Sequence, residues 1–137
     1  MAVNIPKQPY GITLPIAHGD GGYFNQSYTI VDQVKSNLLN LLQTSKGERR
    51  MNPTFGSDLY KIIFEFSNEE IPNIVESAIR SDIQVWMPYI TIQNIIVDIT
   101  NENRDTYIIN VQVAFSVNQI GISDIQTVNV TLNKQIL

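Results

Sequence analysis

The sequence predicts an α+β fold, with two main helices packed on a C-terminal antiparallel sheet of three to four strands. Three observations predict it. Apolar residues recur at helical spacing over residues 29–45 and again over 69–86. From residue 90 onward they alternate with polar residues instead. Only short turns separate those alternating runs, so sequential strands form a meander with one face on the helices.

Residues 1–28 read as an extended N-terminal segment. Pro6, Pro9 and Pro15 oppose helix, and Ile12, Leu14 and Ile16 alternate as in a short strand. His18-Gly19-Asp20-Gly21-Gly22 is turn chemistry. His18, the only histidine, and Asp20 form a nominal metal pair, but a site needs more ligands at matched spacing. The plain reading is a solvated loop, with no metal and no cofactor.

Thr29 and Asp32 supply capping chemistry for the first helix. Val31, Val34, Leu38, Leu41, Leu42 and Ser45 line one of its faces. Lys46 falls near the negative end of the helix dipole, and Gly47 suits a left-handed residue after the helix. A connector rich in helix breakers follows over 48–56. Ser57 can then cap a short helix carrying Leu59, Ile62, Ile63 and Phe66. The second long helix takes Ser67 or Asn68 as its cap and tolerates Pro72 only in its opening turn. Ile71, Ile74, Val75, Ala78, Ile79, Ile83 and Trp86 form its buried stripe, and Pro88 stops it.

In the first strand Ile90 and Ile92 share one parity while Ile95, Val97 and Ile99 share the other. The slip at Gln93-Asn94 predicts a bulge. Tyr107, Ile109, Val111, Val113, Phe115 and Val117 alternate without a slip, and Val128, Val130 and Leu132 continue the theme. Residues 101–106 and 121–124 are turns. The other faces carry Asn110, Gln112, Ser116, Asn118, Asn129 and Thr131, with almost no charge. Exposed edges are ordinarily guarded by Lys or Pro. Either loops cover these edges, or one edge is kept open to pair with a strand of another chain.

Composition narrows the function classes. The chain of 137 residues suits one domain, 1–137, and its 43% hydrophobic and 16% charged residues can build a core. A net charge of −4 and the lack of a basic stripe give nucleic-acid binding no electrostatic support. There is no cysteine, hence no disulfide or thiolate site, and no apolar run long enough for a membrane helix. No small-molecule or membrane partner is expected, and the protein is expected to be made in a cytoplasm.

The central stretch Thr44-Ser45-Lys46-Gly47-Glu48-Arg49-Arg50-Met51-Asn52-Pro53-Thr54-Phe55-Gly56 strongly resembles the signature of the gene-25-like baseplate wedge family. That signature joins a helix ending in Leu-Leu-x-Thr to Gly-Glu-Arg, then Pro and Phe-Gly. Leu59 and Ile63-Phe64-Glu65 resemble the family's following positions, and Gly11-Ile12, Pro15-Ile16 and Gly22-Tyr23-Phe24 its opening segment. The resemblance implies a sheath-like fold and a structural role in the baseplate of a contractile-tailed virion, assembled in the host cytoplasm. Six copies would surround the tail tube, start the sheath by strand pairing with sheath subunits, and contact the core bundle of the wedge. The tail tube or hub is a further neighbour that it allows. One run departs from the family. Trp-Glu-Pro-Arg is common where the second helix meets the first strand, and Trp86-Met87-Pro88-Tyr89 stands there instead. Met87 and Tyr89 would replace an ionic contact with a drier one, with Trp86 packing inward; the plain alternative is that Trp86 and Met87 are only core.

The candidate interface residues are therefore Glu48, Arg49, Pro53, Phe55, Gly56, Trp86, Met87, Pro88, Tyr89, Val128 and Val130. Gly47 and Gly56 allow unusual backbone angles, Pro53 stiffens the loop, and Phe55 is expected to plug it into the core. Glu48 with Arg49 forms either a brace within the loop or a contact to a partner. An enzyme is the competing class, since the family has been labelled lysozyme-like. Glu48, Asp58, Glu65, Glu69 and Glu70 are nominal carboxylates for a glycosidase, which needs two held across a sugar cleft. Carboxylates near helix starts are expected on dipole grounds alone, so no catalytic residue is assigned. A transient assembly adaptor is the third class.

Overall fold

A computed structural model describes residues 8–19, 24–65, 69–103, 106–117 and 125–135. Three helices lie against one face of an antiparallel sheet, as the pattern of periodicities requires. Two short strands, β1 (Gly11–Ile12) and β2 (Gln26–Ser27), pair with each other and pack on the first helix, α1 (Ile30–Gln43). Of the alternating run Ile12, Leu14 and Ile16 only Ile12 is strand; the Leu14 N–H donates to the Ser36 hydroxyl at 3.1 Å, and Pro15 has no N–H for a ladder. Asp20 and Gly22-Tyr23 lie outside the described residues.

Thr29 caps α1, its hydroxyl oxygen accepting from the Asp32 N–H at 3.2 Å. The buried face of α1 is Val34, Leu38, Leu41 and Leu42, and it packs on the last strand. The short helix α2 (Leu59–Glu65) buries Leu59, Ile62 and Ile63. Phe66 and the expected caps Ser67 and Asn68 lie outside the described residues. The second long helix, α3 (Ile71–Trp86), starts after Glu70 with Pro72 in its first turn.

The sheet runs in the order β3-β4-β5, with β3 (Ile90–Asn103), β4 (Thr106–Val117) and β5 (Gln126–Gln135). Val97 sits opposite Val111, and Val111 opposite Val130, so the β-branched residues form cross-strand rows on the helix side. The expected bulge is present: Ile92 opposes Phe115 and Asn94 opposes Ala114, which leaves Gln93 extra. Without it Ile90 and Ile92 would face the opposite side from Ile95, and the register would put one set in water. Ile109, Val111, Val113 and Phe115 are fully buried and join the apolar stripes of all three helices in one cluster. Among the described residues β3 and β5 each pair on one side only, so both edges of the sheet stand open.

Candidate functional site

The loop between α1 and α2 folds back on itself. Thr44 leaves the helix in extended conformation, and its carbonyl accepts the Ser57 N–H at 2.8 Å. The Pro53 carbonyl accepts the Gly47 N–H at 2.7 Å, which closes the loop in the middle. Gly47 has a φ of 89° and Gly56 one of 127°, both in the region that favours glycine. At Gly56 a side chain is excluded twice over, since a Cβ would lie 2.5 Å from the Thr44 carbonyl oxygen. Gly47 is not the residue directly after the helix, however. The chain has already left helical conformation at Thr44.

Glu48 and Arg49 take different partners within the loop, so the expected pair between them does not form. A Glu48 carboxylate oxygen accepts the Ser45 N–H at 3.0 Å. The Arg49 guanidinium carbon lies 4.0 Å above the centre of the Phe55 ring, a cation–π stack. Phe55 in turn meets Trp86 edge-on, with ring centres 5.2 Å apart at 73°. Phe55 is half-buried against the core rather than sunk in it.

Asn40, Arg49, Phe55, Trp86, Met87 and Tyr89 share a hollow of about 220 Å³ that joins the loop to the junction of α3 and β3. At this junction the structure departs from expectation at Met87, while Trp86 keeps an inward contact against the core cluster. Met87 is buried at 4% exposure, while Trp86 and Tyr89 are half-buried and Pro88 is exposed. Met87 ends α3 with φ −133° and ψ 59°, so it no longer follows the helical wheel, and it joins the core cluster. Val128 and Val130, at 4% and 1% exposure, also point into the core. What they offer at the edge is backbone alone.

One cluster had not been expected. Lys46 Nζ lies 3.0 Å from Asp82 Oδ1 and 3.2 Å from Asp58 Oδ2, tying the loop to α3 and to the approach of α2. The hydrogen bond that Lys46 donates to Asp82 raises the Lys46 pKa above the ordinary lysine value; burial opposes this, and Asp58 adds to it. Asp82 is 5% exposed, and its Oδ2 has no hydrogen-bond donor among the described residues. The signal was present in the sequence. Asp82 stands three residues after Ile79 and seven after Val75, an acid on the apolar stripe, and a buried acid calls for a cation. Reading Lys46 as a dipole partner missed it.

The nominal glycosidase carboxylates are dispersed. Glu48 holds the loop, Asp58 pairs with Lys46, Glu65 lies 4.0 Å from Lys61, and Glu69 and Glu70 are exposed in the turn before α3. His18 is exposed, and among the described residues no three His, Asp or Glu side chains gather as a metal site.

Comparison with solved structures gives the fold a context. A candidate tail lysozyme from Geobacter sulfurreducens aligns at a TM-score of 0.59 and 16% identity, covering 80% of this chain and 93% of that one. A chain of the anti-feeding prophage baseplate aligns at 0.56 and 16% identity, over 88% of this chain and 81% of that one. A chain of the type VI secretion system baseplate complex aligns at 0.53 and 12% identity, over 79% and 94%. Comparison with curated proteins finds no match. The class so defined is a baseplate wedge protein. More particularly, the chain belongs to the family of baseplate wedge protein gp25, whose profile matches residues 29–121.

Proposed function

We propose that this chain starts tail-sheath assembly by offering the open edge of β5 to a strand of the first sheath subunit. The observation that supports this reading is the edge itself. From Gln126 to Asn133 β5 carries no charged side chain, pairs regularly with β4, and has no further strand beside it among the described residues. Over that stretch the edge is unguarded, with Lys134 only at its end, and backbone pairing along it would supply affinity while the alternating side chains fix register. The other edge is the poorer template, because β3 is bulged at Gln93 and bears Asp98. The half-buried surface at Trp86 and Tyr89 is the proposed contact to the wedge core bundle. Six copies around the tail tube or hub would multiply weak contacts into a ring. Assembly is proposed to take place in the cytoplasm of the host, with the chain, a single domain, remaining in the finished baseplate rather than leaving as an adaptor.

A proline scan from Thr127 to Thr131 tests the β5 reading. Positions of one parity donate to β4, and proline there disrupts the sheet. Positions of the other parity donate outward. Variants of that set that stay folded should give baseplates and tubes on which sheaths fail to start. Val128 and Val130 are the less clean positions, since proline there also removes a buried side chain. Normal sheaths on baseplates carrying the folded outward-parity variants would overturn the proposal. The candidate tail lysozyme among the structural neighbours suggests a muramidase as the second reading. Turnover of peptidoglycan by the pure chain, lost in Glu48→Gln, would favour it.

A further inference from the structure

We propose that copies of this chain dock head to tail, the tip of the loop between α1 and α2 of one copy seating on the outer face of α2 of the next. The tip is a preformed projection. The Asn52 N–H donates to the Arg49 carbonyl at 3.3 Å, which makes Arg50 and Met51 the central residues of a tight turn. The Gly47–Pro53 hydrogen bond and the Arg49 stack on Phe55 hold that turn in place, so docking has little left to order. Met51 is 98% exposed, and Arg50 is exposed with no ion pair among the described residues. The chain carries the complement elsewhere. Tyr60 and Phe64, 41% and 58% exposed, stand four residues apart and so share one face of α2. Glu65 is exposed beside them with only Lys61, at 4.0 Å, as its cation. Glu69, also exposed, lies four residues on and hence within about 14 Å of Glu65. Methionine sulfur suits aromatic rings, and a guanidinium suits carboxylates. A net charge of −4 makes most approaches of two copies repulsive, so the Arg50 tip is a favoured point of entry. One copy cannot satisfy itself. The loop is tied to the C-terminal end of α3 through Asp82 and Trp86, Glu69 stands just before the N-terminal end, and a helix of 16 residues is about 24 Å long. Distinct patches at opposite ends of one helix make a heterologous contact, which adds copies in one direction and closes as a ring where the rotation permits. With so few side chains the contact is weak in isolation and suits copies already held on a common assembly. It leaves the β5 edge uncovered and does not rest on the sheath-start reading.

The experiment is NMR paramagnetic broadening between copies. The chain has no cysteine, so Thr54→Cys, at an exposed position beside the tip, takes a single nitroxide. That copy, at natural isotope abundance, is mixed with the isotope-labelled unaltered chain at about 1 mM, the effective concentration of neighbours on one assembly. Amides of residues 59–65 and 69–73 in the isotope-labelled copy should broaden, and those of β5 should not. Arg50→Glu in the nitroxide copy, or Glu69→Lys in the other, should weaken the contact about fivefold, the upper range for an exposed ion pair. Met51→Ala should weaken it by a similar factor. Mixing Arg50→Glu with Glu69→Lys should restore the broadening, which a fault of folding in either variant would not do. Absence of localised broadening, or a charge swap that fails to restore it, would overturn the proposal. So would broadening along β5, which would show that copies pair through the sheet edge instead.

Discussion

Lys46 and Phe55 fasten the same loop through different physics, and the two contacts respond to different perturbations. The Lys46 ammonium sits between two carboxylates, one of them buried, and its pKa is raised chiefly by Asp82. A raised lysine pKa means that the folded chain holds the proton more tightly than the unfolded chain. The stability it brings is complete below the unfolded value of about 10.4 and is lost as pH climbs through the higher folded value. The unaltered chain should therefore lose stability more steeply than Lys46→Met in alkaline unfolding titrations above that point. At neutral pH Lys46→Met should cost about 1–2 kcal/mol, less than a fully buried pair, because the lysine keeps part of its hydration. Phe55 contributes through area, the Arg49 stack and the Trp86 edge contact. Because the ring is only half-buried, Phe55→Ala should cost about 2 kcal/mol rather than the 3–5 of a fully buried aromatic. Denaturant melts of both variants measure these values.

At the scale of elements, periodicity was a sound guide wherever one face meets the core continuously. The capped start of α1, the stripe of α3 and the phase slip at Gln93 all follow from which side of an element must be dry. Periodicity failed where the chain changes direction. Trp86 continues the α3 stripe and was expected inside, but the helix ends there, and Met87 takes the buried place with a backbone that belongs to neither helix nor strand. The sequence shows that Asp82 needs a cation but not which one, since Asp58 and Asp82 reach Lys46 only through tertiary folding. This changes how the departure from Trp-Glu-Pro-Arg is to be tested. Met87→Glu would bury a carboxylate and should destabilise the isolated chain by about 3 kcal/mol or more. Tyr89→Arg alters a half-buried surface position and should leave the melting midpoint nearly unchanged. Of the two, only Tyr89→Arg cleanly probes binding to a wedge partner; a Met87→Glu chain as stable as the unaltered one would show that the buried placement of Met87 is not retained in solution.

For the molecule as a whole, the arrangement of the core decides how a wedge piece of this kind should yield. The stripes of α1, α2 and α3 and the inward rows of β3, β4 and β5 belong to one apolar cluster, and the loop of 44–57 is packed against it through Phe55. A load on the sheet edge would therefore be shared with the helices instead of being absorbed by a hinge. Trp86, the only tryptophan, stands where loop, α3 and β3 meet, so its fluorescence reports the corner while far-ultraviolet circular dichroism reports the helices and sheet. If the cluster unfolds as a unit, the two signals should follow one transition with a common midpoint. Phe55→Ala, although it touches the corner directly, should lower both midpoints together, by about 6–10 °C for a loss of about 2 kcal/mol in a chain of this size. A tryptophan transition that precedes the loss of secondary structure would show instead that the corner opens on its own. The loop and the Trp86 surface would then be a locally mobile contact, and the sheet edge alone would be the rigid part of the subunit.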